Sequence, residues 1–544
     1  MQLIQLYADI RANTRPDARA VVLGNQQLTY GELYRFSNSL ARALKSRGCR
    51  PGDRVVLMVS KTPLAIASIL GVLKAGCIYV PLDVDSPAVR SAMILDNCGP
   101  RLLLVDAAGT KKLKELRSHS TTMARIPAGA IETSGASLDR KSFVFGLDDI
   151  LHFPDDPIPY KHDANDIAYI LYTSGSTGRP KGVPVTHANV AQFINWATSY
   201  FQLTPQDRIS GHPPLYFDLS VFDIFGSFAS GAELHLVPPL LNLSAPSLAA
   251  FIADSELTQW FSVPSALNYM AKADTIRGAD FSKLKRVLWC GDVLPISTLR
   301  YWMERLPHVQ FTNLYGPTET TIASSYYTLT SIPEQNETIP IGRSCDGEYL
   351  LVLDKALRPV PPETIGELYI GGAGLSPGYW KDLHKTRASF IDDPNSSGRL
   401  YKTGDLARVG DDGLIYFVGR TDTRIKSRGY RIELGEIEAA LNQIKDLKES
   451  AVVAITTSGF EDSLICCAFV PVEGSEGARV SIITLRDMLR RTVPNYMLPA
   501  RWLSMDCLPK NANGKIDRSL LQQLFRSTVT SEPKSHCDIQ SIEV

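Results

Sequence analysis

The chain has 544 residues, enough for two to four domains with a sizeable core. Its 57 basic residues balance 57 acidic ones, so no global charge argues for nucleic acid or an anionic membrane as partner. No apolar run approaches the ~18 residues of a membrane-spanning helix, and the nine scattered cysteines hold no CxxC pair of the kind that marks a zinc site or disulfide frame.

The N-terminus, MQLIQLYADIRANTRPDARA, lacks a basic segment followed by a long apolar one, so it does not read as a signal peptide. Reduced core thiols in a cytoplasmic enzyme are the matching expectation. Apolar runs RVVLMVS, RLLLVD, IAYILYTS and RVLWCG predict buried strands. They alternate with helical patterns such as PLAIASILGVLKAG, which argues an α/β architecture with a largely parallel sheet. Residues 108–164 are weaker in pattern and read in part as a surface insertion.

After the strand-like Ile167–Leu171 comes YTSGSTGRPKG, Tyr172 to Gly182. Its glycines let the backbone approach a phosphate and point successive N–H groups at it. Tyr172, Thr173, Ser174, Ser176 and Thr177 add hydroxyls, and Arg179 and Lys181 add charge. It is not a Walker A loop, and for its glycines and hydroxyls alone a flexible turn is the competing reading.

From Gly366 the texture changes to short alternating segments, GELYIGG and GLIYFVGR, which predict a β-rich subdomain. After Arg420 it changes again. Ile432–Leu441 has helical spacing, ESAVVAITTS and LICCAFVPV look like paired strands, and LRDMLRRTV is an amphipathic helix. The expected plan is a large domain over 1–420, a small mobile α+β domain over 423–524, and a disordered tail over 525–544.

Nine segments carry a family resemblance. In order they are LTYGELYRFSNSLARAL, LKAGCIYVPLD, the Gly/Ser/Thr loop, FDLSVFDIFGSF, NLYGPTETT, GELYIGGAGLSPGYW, YKTGDLARV, GRTDTRIKSRGYRIELGEIE and LPKNANGKIDR. From about Leu28 to Leu521 the chain resembles the adenylate-forming superfamily. Within it, the match is to amino-acid adenylation domains of nonribosomal peptide synthesis and their free-standing relatives. D-alanine–carrier ligases are among these, and WCGD at Trp289–Asp292 is similar to theirs. The fold implied is a large domain of stacked αβ subdomains plus a β-rich subdomain, followed by a small mobile domain.

The resemblance implies ATP and Mg²⁺. Thr173, Ser174, Gly175, Ser176, Thr177, Gly178 and Lys181 would hold the phosphates, and Asn313 and Tyr315 the adenine, by amide bond and stacking. Asp405 would take the ribose hydroxyls, with Arg420 beside the ribose and phosphates. Thr318 would contact the α-phosphate, Glu319 would bind the metal, and Lys515 in NANGKIDR would bridge both anions in the transition state. Asp422 matches the family's hinge, about which the small domain turns to bring the Gly429 segment in for a second, thiol-transfer step. The chain departs from the family at Arg424 and Ser427, where Gln and Ile are usual.

The same resemblance makes Asp218 the partner of a substrate α-ammonium. Leu219, Phe222, Ser262, Leu288, Cys290, Leu314, Ile322 and Ala323 would line the pocket. No ionisable group but the Cys290 thiol is among these eight, so a charged side chain would lack a partner there. Small neutral amino acids lead (alanine, serine or cysteine), with proline a competitor. No LGGxS-like attachment site occurs, so the expected acceptor is the phosphopantetheine thiol of a separate holo carrier protein. The alternative within the fold is an acyl- or aryl-CoA ligase. Neither nucleic acid nor membrane is an expected partner.

Overall fold

A computed structural model describes residues 3–119, 125–132, 142–160, 162–175, 178–421, 424–427, 429–456, 463–472, 481–510 and 516–530. Ser176, Thr177, Asp422 and Lys515 lie outside them. The chain forms two compact units. One comprises residues 1–84, 95–172 and 182–421, and the other residues 85–94, 173–181 and 422–544.

The first unit holds two large sheets. In the six-stranded sheet the order is Ala128–Ala130, Leu102–Val105, Arg54–Met58, Ile78–Pro81, Ile167–Thr173, Lys181–Thr186. Arg54–Met58 pairs in parallel with both Leu102–Val105 and Ile78–Pro81. A parallel pair needs a crossover, and Pro63–Lys74 supplies it as a helix. Thr62 caps that helix by accepting from the Ala65 N–H, and Pro63 fits its first turn. The preceding helix, Tyr30–Ser46, starts from a full capping box between Thr29 and Glu32. The two helices pack closely at Gly71, where a Cβ would lie 2.8 Å from Leu40 Cδ2.

The nine-stranded sheet runs in the order 343–344, 325–328, 310–315, 286–290, 259–262, 208–211, 233–236, 19–23, 26–29. Its middle strands are apolar on both faces, as the continuous run RVLWC suggests. Phe261, Leu288 and Leu314 enter one core, and Trp260, Val287, Trp289 and Phe311 enter the other. That two-residue alternation follows from the pleat.

A five-stranded antiparallel sheet follows. It begins at Glu348, earlier than the Gly366 at which the sequence texture changes, because the half-buried strand Glu348–Leu353 pairs with Gly366–Gly372. The weakly patterned 108–164 stretch contains most of the helix Ala107–His119, the strand Ala128–Ala130 and a short helix, Leu147–Leu151.

In the second unit, Leu447–Thr456 and Ser463–Pro471 pair antiparallel, as expected. Arg501–Ser504, which the sequence did not suggest, adds a parallel third strand. Adjacent Cys466 and Cys467 point to opposite faces, each into its own apolar cluster. The described cysteines are free thiols. The helix expected from Ile432 starts at Leu434, because Ile432 still pairs with Ile425 in a hairpin. The tail expected to be disordered from residue 525 begins inside a helix, Arg518–Thr530, whose Phe525 is buried beside Leu521. Among the described residues no helix is long and apolar enough to cross a membrane.

Candidate active site

In the first unit the motif residues converge around the ends of the nine-stranded sheet. Asn313, Leu314 and Tyr315 close the strand Gln310–Tyr315, and a tight turn, Thr318–Thr320, follows. Gly316 permits that turn to lie against the pocket wall, since a Cβ there would sit 2.6 Å from the Ala323 Cα. The Tyr315 hydroxyl donates to one oxygen of Asp405, and Arg420 pairs with the other. Arg420 stands opposite Asp405 across an antiparallel strand pair, which fixes this contact through the backbone register. Burial, and then the Asp405 charge, push the Tyr315 phenol well above its usual pKa. Asn313 donates from its amide nitrogen to the Pro340 carbonyl at 2.9 Å. The amide oxygen is the end left for an amino donor.

Glu319 is fully buried, and its Oε1 accepts from the Tyr379 hydroxyl at 2.8 Å. Among the described residues no group of three His, Cys, Asp or Glu could hold a metal by itself. One carboxylate still suits Mg²⁺, which keeps waters and phosphate oxygens as its other ligands. Glu319 fits that role.

Asp218 stands immediately before the helix Leu219–Ser230, with no side-chain bond to that helix's own N–H groups. Its Oδ2 accepts instead from the Thr318 hydroxyl at 2.7 Å. Thr318, expected on a phosphate, is therefore tied to Asp218 in this structure. Leu219, Phe222, Leu288, Cys290, Leu314, Ile322 and Ala323 fall into one buried cluster. The Phe222 ring meets Phe193 edge-to-face at 5.4 Å and Phe261 at 5.7 Å.

Ser262 does not join that cluster. Its hydroxyl accepts from the Trp260 indole at 2.9 Å and donates to the Val263 carbonyl at 3.2 Å. In register it pairs with Trp289, whose ring belongs to the opposite core, whereas Phe261 pairs with Leu288. The Ser262 hydroxyl is thus engaged within the chain, and Phe261 is the neighbour on this strand that joins the apolar cluster. Strand alternation could have flagged Phe261 in advance.

Thr321 and Ile322 have φ of 63° and 70°. That region is sparsely populated, and a β-branched residue in it is a true outlier. The Thr321 hydroxyl bonded to the Gly374 carbonyl at 2.7 Å, and the Ser324 N–H bonded to the Tyr315 carbonyl at 2.7 Å, hold the loop there. Tyr379 and Gly374 sit in GELYIGGAGLSPGYW, so a structural role for that motif was legible although neither residue was singled out.

In the second unit, the described part of the Gly/Ser/Thr loop is bonded to its own unit. Ser174 donates to the Arg431 carbonyl at 2.5 Å, and the Gly175 N–H donates to Glu436 at 3.2 Å. Arg90 pairs with the same Glu436, whose carboxyl burial pushes to a higher pKa. Gly178 has a φ of +78°, the turn conformation for which glycine is suited. The Thr173 hydroxyl is buried without a partner, and Lys181 is buried.

Family models match most of this chain. "AMP-binding enzyme" covers residues 8–380, and "AMP-binding enzyme C-terminal domain" covers 436–515. The chain belongs to the AMP-binding enzymes. Within that family it is adenylation-domain-like. It is 34% identical over 521 residues to bacitracin synthase 1 of Bacillus licheniformis, covering 96% of this chain and 9% of that protein. The chain thus spans about a tenth of that relative's length. Among solved structures it is similar to the adenylation domain AlmE of Vibrio cholerae, crystallised with glycyl-adenosine-5'-phosphate. The TM-score is 0.84 at 25% identity, with 97% and 98% of the two chains covered. It is also similar to holo-PA1221, a nonribosomal peptide synthetase protein containing adenylation and PCP domains. There the TM-score is 0.78 at 25% identity, over 96% of this chain and 84% of that one. For this AMP-binding enzyme, the motifs from LTYGEL to NGK are thus those of an AMP-forming adenylating ligase.

Proposed function

We propose that this AMP-binding enzyme activates a small neutral amino acid as its aminoacyl-AMP and passes it to the phosphopantetheine thiol of a separate carrier protein. The observation that carries the reading is Asp218. Its carboxylate, held by Thr318, is the acidic side chain next to a cluster of otherwise apolar residues. A substrate α-ammonium can pair with that carboxylate through a charge-assisted hydrogen bond. AlmE, a structural neighbour across nearly the whole chain, was crystallised with an aminoacyl adenylate.

The amino-acid carboxylate is already a nucleophile, so activation needs no general base. Its oxygen attacks the α-phosphorus of ATP, the new acyl–phosphate bond forms, and the bond to pyrophosphate breaks. What the protein supplies is placement of two anions and stabilisation of the charge between them. Asn313 and Tyr315 address the base, Asp405 and Arg420 the ribose side, and Asp218 the ammonium. Lys515 is the residue assigned, by its NGK motif, to offer a point charge to the two anions in the transition state. Mg²⁺, held by Glu319 when bound, neutralises phosphate charge. In the second step the carrier thiol adds to the acyl carbonyl and AMP leaves.

The test is amino-acid-dependent ATP–pyrophosphate exchange across the twenty standard amino acids and D-alanine, with the des-amino acids as controls. Exchange confined to one or a few small neutral amino acids is expected. Equal exchange with propionate or benzoate would overturn the reading in favour of an acyl- or aryl-CoA ligase.

A further inference from the structure

Lys61 carries a contact that the reaction described above does not use. It lies two residues before the helix Pro63–Lys74, in the first unit. Its ammonium donates to three consecutive backbone carbonyls, those of Gly211, His212 at 2.7 Å and Pro213 at 3.3 Å. An ammonium has three protons, and all three are spent on this one stretch of chain. Gly211 is the last residue of the strand Arg208–Gly211, and the stretch leads straight into Asp218.

The intervening turn is itself tightly knitted. The Phe217 N–H donates to the Pro214 carbonyl at 3.0 Å, and the Ser220 hydroxyl donates to the Phe217 carbonyl at 2.7 Å and the Leu215 carbonyl at 3.4 Å. A displacement at 211–213 is therefore carried along a short bonded path to Asp218. On the helix that Asp218 precedes, Asp223 is buried, and neither of its carboxyl oxygens has a hydrogen-bond partner. The positive charge of Lys61 favours the ionised form of Asp223, although burial outweighs it. A buried carboxyl without bonded partners is costly, and the charge of Lys61, bonded to the chain that leads into the Asp223 helix, offsets part of that cost.

We propose that Lys61 is a positioning residue for amino-acid activation. By clamping the carbonyls of Gly211–Pro213, it sets the place of Asp218 relative to the substrate ammonium. The inference rests on the reading of Asp218 as that ammonium's partner.

The experiment compares Lys61→Met, Lys61→Arg, Asp223→Asn and Asp218→Asn in pyrophosphate exchange, with melting temperature measured on each. Lys61→Met should raise the amino-acid KM by roughly ten- to a hundredfold, the scale on which ångström-sized misplacement is felt. The ATP KM should stay within about twofold on the same argument, since the nucleotide contacts lie on other strands. Preference for the amino acid over its des-amino analogue should shrink in parallel. Lys61→Arg should recover much of both, and Asp223→Asn should show the weaker form of the same split. If Lys61→Met does not fold, the arginine and asparagine variants decide the matter. An unchanged amino-acid KM, or amino-acid and ATP KM rising together in step with a lowered melting temperature, would overturn the clamp. If Asp218→Asn raises the amino-acid KM and the Lys61 and Asp223 variants do not, only the clamp falls. Should Asp218→Asn leave that KM unchanged, the reading of Asp218 itself falls.

Discussion

Asp218 makes the sharpest prediction of any single side chain. Truncating one member of a desolvated charge pair leaves the other unpaired and costs roughly 2–5 kcal/mol. Asp218→Ala should therefore lower kcat/KM for the amino acid by about 30- to several-thousand-fold, read through KM or kcat. The ATP KM should barely move, because Asn313, Tyr315 and Asp405 are bonded elsewhere. An intact kcat/KM for the amino acid in that variant would remove Asp218 from the site. Phe222, assigned by the proposal to the pocket lining, is held by a different force, packing against Phe193 and Phe261. Phe222→Ala opens a void where a large ring stood and should cost about 3–5 kcal/mol of stability. The same void should raise leucine or methionine relative to alanine in pyrophosphate exchange by roughly tenfold, the discrimination typical of a few methylenes. A variant that loses stability but keeps the wild-type preference would place Phe222 behind the pocket wall instead of in it.

At the scale of elements, the helix His187–Tyr200 is tied to the N-terminal segment through a neutral histidine. The His187 Nδ1 accepts from the Ile4 N–H at 3.4 Å, and its ring lies 5.5 Å from His162, which bonds Gln5 at 2.8 Å. Burial first, and then the neighbouring His162, lower the His187 pKa from 6.5 to about 3. Between those values the unfolded chain binds a proton that the folded chain refuses, so stability is lost as pH falls through the window. The full difference is on the order of 5 kcal/mol. His187→Gln should flatten the decline in melting temperature between about pH 6.5 and 4, relative to wild type, on this linkage. Parallel slopes in the two proteins would show that His187 does not drive the acid loss. This contact was invisible in the sequence, because it joins residues 183 positions apart. Local signals were legible. The Thr29–Glu32 capping box, the strand runs and the loop glycines announce themselves within a few residues. The apolar residues picked out by motif share one buried cluster. What the motifs did not carry were tertiary choices: the left-handed Thr321 and Ile322, and the Thr318 bond to Asp218. Each of these depends on a partner strand or loop that no local spacing encodes.

For the whole molecule, the proposed function asks two chemical steps to use one set of nucleotide contacts, and two sequence positions separate them experimentally. Lys515, in NANGKIDR, is assigned to the first step only, since its charge serves the two anions that meet during adenylation. Lys515→Ala should reduce pyrophosphate exchange by about 10²–10³-fold, the loss seen when one preorganised donor to a transition state is removed. Thiol transfer from a pre-formed adenylate should be nearly untouched. Asp422, in GRTD, makes the complementary case. It follows Thr421, where the last long segment of the first unit ends and that of the second begins. Proline at 422 would fix φ near −65° and stiffen any rotation about that link. Adenylation should survive in Asp422→Pro better than carrier loading does, the inverse of the Lys515 pattern. Single-turnover assays of the two half-reactions, with purified aminoacyl-AMP for the second, give the comparison directly. If the steps fall together in both variants, one fixed arrangement of the chain serves both reactions and the hinge assignment fails. If they separate in opposite directions, the small domain changes its task between the two steps.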